Sequence, residues 1–113
     1  MKKLLLTAVL SSLLTLLAAG KITEAVKLQK PRVTVTEITH PVGVPRNPYV
    51  RPTDQVIVFL DDCAYDRVDA QTGQKTRVTR KSGEVIWHDK GEKAPTLINA
   101  GAKTYRTLVV ALP

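Results

Sequence analysis

The sequence predicts an all-β fold, a barrel or sandwich of about six to eight short antiparallel strands, and three observations predict it. Period-two alternation recurs along the chain, at Arg32–Ile38, Tyr65–Asp69 and Lys75–Arg80. Glycine- or proline-bearing turn signals punctuate it every few residues, at Gly43, Gly73, Gly83, Gly91 and Gly101. Beyond the N-terminal leader, no stretch of ten residues carries apolar side chains at the i, i+3, i+4, i+7 spacing of an amphipathic helix.

The first element is a leader rather than part of the fold. Met1-Lys2-Lys3 is a basic start, Leu4 to Ala19 is free of charge, and Ala18-Ala19-Gly20 is a small-residue exit, the three parts of a secretory signal peptide. Sixteen uncharged residues fall short of the ~20 needed to cross a bilayer core, so export with cleavage after Gly20 is expected, and no stable membrane span afterwards. Removing 20 residues from 113 leaves 93, enough for one modest core in the periplasm or the medium.

Residues 21–31 read as a polar, extended lead-in ending at Pro31, and residues 32–113 as one domain. Arg32–Ile38 is the first strand, with an edge free to pair with a neighbour and so a route to a homodimer. From His40 to Pro52, Pro41, Pro45, Pro48 and Pro52 forbid a helix interior or a central strand and leave an ordered, irregular segment. Gln55–Leu60, the most apolar run after the leader, reads as a central strand. Tyr65–Asp69 and Lys75–Arg80 make a hairpin whose loop, Ala70 to Gln74, offers Gly73 for a positive φ, and Asp66, Arg77 and Arg80 mark its solvated face. Glu84–Trp87, Thr96–Asn99 and Thr104–Leu112 complete the strands.

Composition excludes several classes. Cys63 is the single cysteine, which rules out a disulfide scaffold or a four-cysteine zinc site; burial is the expected fate of its thiol. The net charge of +7 comes from 17 Lys and Arg scattered among 10 Asp and Glu, with 4 % aromatic residues for base stacking. That pattern fits solubility and not a nucleic-acid partner. Asp61, Asp62, Asp66 and Asp69 lack the glycine and closing glutamate of a calcium loop and read as solvated turn acids.

The spacing of turn residues resembles the two motifs of the cupins. Gly43 is followed after five residues by Tyr49, then Arg51, then Gln55 after three more, and Asp62 after six, the spacing of the first motif. Gly83, Asp89 and Gly91 keep that of the second; one extra residue intervenes before Pro95 and Asn99. The resemblance covers about residues 32–112 and implies a cupin-type jelly-roll barrel. In metal-dependent cupins the motif side chains hold a divalent cation; the matching positions here are Tyr49, Arg51, Gln55 and Pro95. A permanent cation and a proline are not metal ligands, so the resemblance implies no cofactor and no metal at these positions.

The same positions are expected to face the barrel interior. Tyr49, Arg51 and Gln55 would form a polar cluster with one fixed charge, with Asn99 and Trp87 or His88 contributing, although strand neighbours Trp87 and His88 cannot both point inward. The expected function is metal-free, non-catalytic binding of a small polar or anionic ligand or of a protein partner. The alternatives are a cofactor-free enzyme of the isomerase or epimerase type, with Tyr49 as acid and His88 as base, and a metal-dependent dioxygenase using His40, His88 and Asp54. Equally open is a purely architectural cluster in which Arg51 pairs with Asp54.

Overall fold

The computed structural model describes residues 20–113; the signal-peptide assignment falls on residues outside that range. The chain forms β1 (Thr23–Lys30), β2 (Val33–His40), β3 (Pro45–Arg46), β4 (Tyr49–Val50), β5 (Asp54–Phe59) and β6 (Cys63–Val68). It continues through β7 (Lys75–Arg80), β8 (Val85–His88), β9 (Lys93–Ala94), β10 (Thr96–Asn99) and β11 (Tyr105–Leu112). One sheet has the order β1-β2-β11-β5-β8 and a second the order β3-β10-β6-β7, while β4 and β9 make a short ribbon. All paired strands are antiparallel.

Alternation places the core. On β5, Gln55, Ile57 and Phe59 are buried while Asp54, Val56 and Val58 are half-exposed on the outer face. β11 lies between β2 and β5 and turns Tyr105 and Thr107 inward. Across the barrel, Tyr65 of β6 stacks with Phe59 and Tyr105 at ring separations of 6.2 and 6.3 Å. Ile57, Phe59, Tyr65 and Tyr105 form the buried cluster, with Ile86, Leu97 and Val109 packed against it. Few large side chains are fully buried, because the barrel encloses a cavity instead of a solid core.

Turns follow their chemistry. Gly73 adopts a φ of 71°, and Asp69 closes the β6–β7 loop by accepting from the amides of Gln71 and Thr72. Asp61, at the crossing from one sheet to the other, accepts from the amide and the guanidinium of Arg106. The acids of this region are thus tied to local donors, as solvated turn acids.

Three expectations about the strands need correction. The lead-in is not a free extended segment: Thr23–Lys30 is a strand paired with β2, exposed along its length, with a register irregularity between Val26 and Leu28. The edge expected at Arg32–Ile38 is therefore occupied on both sides, by β1 and β11, and offers no pairing edge to a second copy. Arg77 pairs with Asp66 at 2.6 Å on the outer face of the hairpin, but Arg80 does not share that face. Its guanidinium lies 5.5 Å from the centre of the Phe59 ring and bonds the Tyr65 hydroxyl, because positions 77 and 80 differ by an odd number on a strand. Cys63 is half-buried, and burial pushes its thiol up to about 11.

Candidate functional site

A cavity of about 540 Å³ opens between the two sheets, within the size range of small-molecule sites. The irregular segment built by Pro45, Pro48 and Pro52 supplies its cationic wall, with Arg46, Tyr49 and Arg51 all lining the space. Proline fixes φ at three points along that segment, which reduces the freedom that ordering two arginines must remove. Ile57 of β5, Ile86 of β8 and Val109 of β11 line the cavity from the five-stranded sheet.

Arg51 is 4 % exposed, and its Nη1 donates to Gln55 Oε1 at 2.8 Å and to the Tyr49 hydroxyl at 3.0 Å. The Tyr49 hydroxyl lies 3.3 Å from the same Gln55 oxygen, so the three side chains form one triangle. The backbone locks this corner as well: Arg51 N donates to Glu92 O at 2.9 Å, and Gly91 N donates to Arg51 O at 2.8 Å. Arg46 donates through Nη2 to the Pro95 carbonyl, and both guanidiniums lie over the Tyr49 ring, at 5.3 and 5.4 Å from its centre. Burial, with Arg51 nearby, holds Arg46 below its ordinary pKa.

Neither arginine forms an ion pair with a carboxylate among the described residues. The proposed partner Asp54 instead accepts from the Lys90 amide at 2.8 Å. The Nε of Arg46 and that of Arg51 are both buried without a hydrogen-bond partner among the described residues. A buried N–H left unpaired costs about 1–3 kcal/mol, more on a charged group, so both guanidiniums are held in place at a cost to the fold.

His88 faces inward beside this cluster. It stands opposite Gln55 in the β5–β8 register and lines the cavity with Ile86, two positions away. Its Nδ1 lies 3.1 Å from Glu92 Oε1, and Glu92 in turn accepts from the Asp89 amide. Burial and then the Arg51 charge lower the pKa of His88, while Glu92 opposes them. The ring is therefore neutral at pH 7, with Nδ1–H directed at the carboxylate and Nε2 free to accept.

Two candidate residues do not belong to the cavity. Trp87 is 53 % exposed on the outer face of β8 and donates through Nε1 to Asp89, because His88 takes the inward direction. Asn99 is buried, but its side chain is a backbone clamp: Nδ2 donates to His40 O and Lys103 O, and Oδ1 accepts from Gly101 N.

Sequence reasoning missed Arg46, and it considered His40 only as a metal ligand. Arg46 matches no motif position; its signal was its place between Pro45 and Pro48, in the same proline-held segment as Arg51. His40, at the end of β2, stacks on Tyr105 with ring centres 4.6 Å apart. Burial and then the Arg46 charge push its pKa down to about 4. Unfolded His40 takes up a proton near pH 6.5 and the folded residue only near 4, so stability is full above about 6.5 and falls as the pH drops toward 4. At 1.36 kcal/mol per unit the contribution is about 3 kcal/mol, an upper bound for a group that retains some access to water. His40→Phe keeps the stack and removes the titration. Urea unfolding at pH 7 and pH 4.5 should show a smaller loss of stability in the variant than in the parent, and equal losses would assign the acid sensitivity elsewhere.

The metal that metal-dependent cupins hold does not fit these residues. The four matching positions are occupied by Tyr49, Arg51, Gln55 and Pro95, and the Arg51 guanidinium sits within hydrogen-bond distance of both Tyr49 and Gln55. A permanent cation there repels a divalent ion, and Pro95 presents only its carbonyl, to Arg46. His40 and His88 stand at opposite ends of the five-stranded sheet: His40 pairs with Tyr105, whereas His88 pairs with Gln55, which in turn pairs with Ala111. Six residues of β11 separate those rungs, about 20 Å, which no single ion spans. Among the described residues no three His, Cys, Asp or Glu side chains cluster as metal ligands.

No family model and no curated protein matches the chain. Solved structures do. A cupin domain from Bordetella pertussis superposes with a TM-score of 0.71 at 16 % identity, over 81 % of this chain and 93 % of that one. A double-stranded β-helix protein from Klebsiella pneumoniae gives 0.63 at 19 % identity, over 83 % and 78 %. The polyketide cyclase RemF from Streptomyces resistomycificus gives 0.62 at 23 % identity, over 80 % of this chain and 64 % of that one. Identities this low carry the fold alone. With its two antiparallel sheets closed around a cavity, the chain has the cupin-type jelly-roll fold.

Proposed function

We propose that this is an exported, metal-free binding protein whose barrel takes a small organic anion. The observation that carries the reading is the pair of arginines lining one cavity, neither of them paired with an acid among the described residues. Anions offer such donors charge-assisted hydrogen bonds, about twice as strong as neutral ones, and low-dielectric walls strengthen the attraction. The basic, apolar and small-residue parts of residues 1–20 support export.

Isothermal titration with benzoate at low salt tests the reading. The expected result is one site per chain whose affinity is lost by competition with excess organic anion more than by an equal concentration of chloride. Binding to many weak sites, or none, would sink the proposal.

A second reading, a cofactor-free proton-transfer enzyme, is favoured by the 3.1 Å contact between His88 and Glu92. Glu92 holds the imidazole with Nε2 as a base, and Tyr49, bonded to Arg51, is the available acid. Such an enzyme would catalyse deuterium exchange at C3, the carbon beside the ketone, of a bound 2-keto acid in D₂O. His88→Gln should remove that exchange while leaving anion binding in place; equal exchange by parent and variant would remove His88 from the chemistry.

A further inference from the structure

We propose that the ligand is an amphiphilic carboxylate, with its anionic head at Arg51 and Arg46 and an apolar body lying along the five-stranded sheet. This rests on the anion-binding reading above and adds the chemistry of the rest of the molecule.

Polarity changes from rung to rung along the β5–β8 part of the cavity wall, while Thr36 and Thr107 add hydroxyls on the β2 and β11 side. Gln55, which holds the Arg51 guanidinium, and His88 form the polar rung of the inward face. The next inward rung is Ile57, Ile86 and Val109, paired directly across β8, β5 and β11. Phe59 follows, opposite Thr107. From Gln55 to Phe59 is four residues, about 13 Å of wall. A head bound at the first rung therefore leaves length for an apolar body against the next two.

The donors also limit the head. Arg51 Nη1 is engaged with Tyr49 and Gln55, and Arg46 Nη2 with Pro95, so each guanidinium already has one terminal nitrogen committed to the protein. Lysine is absent from the cavity lining, and the negative charge of Glu24, opposite Ile38, stands at the Thr107 and Phe59 rung rather than at the head. Polyphosphate recognition draws on glycine-loop amides and a helix N-terminus, and the described residues form no α-helix. One carboxylate matches this charge count better than a polyanion. An inorganic anion would satisfy the donors but leave Ile57, Ile86 and Val109 facing water, whereas an apolar body covers them.

Titration calorimetry at pH 7 on the purified protein, with 2-naphthoate, acetate, inorganic phosphate and neutral 2-naphthamide, tests this. Naphthoate is expected to bind at least tenfold tighter than acetate and phosphate, and at least tenfold tighter than the amide. Equal affinity for the three anions would overturn the amphiphilic ligand and leave the anion site standing. Equal affinity for naphthoate and naphthamide would overturn the anionic head and with it the reading above, as would no heat from any of the four. Ile86→Ser is expected to weaken naphthoate about tenfold while leaving acetate unchanged. A loss shared equally by both would contradict the apolar contact.

Discussion

Arg51→Met is expected to weaken anion binding about 100-fold and to leave the melting temperature unchanged or higher. The side chain is buried and has no contacting acid among the described residues, and the Glu92 carboxylate acts on its charge only from a distance. Replacing a buried ionic group by an apolar one of similar length is often neutral or stabilising. Two hydrogen bonds from Nη1 are lost, yet the Tyr49 hydroxyl remains within 3.3 Å of Gln55 Oε1, so the amide oxygen keeps a donor. Binding has no such compensation. Removing a charge-assisted donor costs about 2–3 kcal/mol, which is a fall in affinity of about 100-fold. Calorimetric titration with an aromatic carboxylate, paired with thermal melts, reads both quantities. A melting temperature lowered by more than about 10 °C would instead identify Arg51 as a packing residue.

Asn99→Ala is expected to have the opposite profile, a large loss of stability with ligand affinity retained in the folded molecules. The amide of Asn99 donates to two carbonyls, His40 O at 2.9 Å and Lys103 O at 2.8 Å, and accepts from Gly101 N at 2.9 Å. It thereby joins the end of β2, its own strand β10 and the turn leading into β11. At 3 % exposure, water does not replace it easily. Three backbone groups lose their partner at once, and at 1–3 kcal/mol for each one left unsatisfied the total is about 4 kcal/mol. In a domain of this size each kcal/mol moves the melting temperature by roughly 4–8 °C, so a fall of about 15–30 °C follows. Asn99→Asp should fare no better, because a carboxylate presents oxygens to both carbonyls. Scanning calorimetry of the two variants decides the matter; a shift below about 5 °C would mean that the clamp is not structural.

Much of the fold was legible because antiparallel strands write their burial into alternate residues. Gln55, Ile57 and Phe59 against Val56 and Val58 is such a record, and the hairpin loop around Gly73 is another. The two-residue strands Pro45–Arg46, Tyr49–Val50 and Lys93–Ala94 were not, since two residues are too few to show a period. β1 was hidden for a different reason. All eight of its residues are exposed, so nothing beyond the brief alternation at Val26, Lys27 and Leu28 marks it, and its pairing is a property of the β2 backbone.

The site was legible in part for the same reason. Spacing alone brought Tyr49, Arg51 and Gln55 into one group, and the structure places them within 3.3 Å of one another. Direction was harder: Trp87 and His88 are neighbours, and only the pairing of His88 with Gln55 decides which of them enters the cavity. Asn99 occupies a motif position, but a sequence does not reveal that its hydrogen bonds are already committed to His40, Lys103 and Gly101.

The register irregularity in β1 bears on what this outermost strand presents to a neighbouring chain. Val26 pairs with Thr36 and Leu28 with Val35, so Lys27 is the extra residue of a bulge. In an unbroken strand, positions 26 and 28 would lie on one face and present their side chains, 61 and 44 % exposed, as a continuous sticky stripe. The bulge sends them to opposite faces and sets a lysine at the break in an outermost strand. Flat, uncharged, apolar borders are the ones that recruit further strands into fibrils; a twisted and charged border resists that growth. The exposure of β1 is thus made tolerable by one inserted residue.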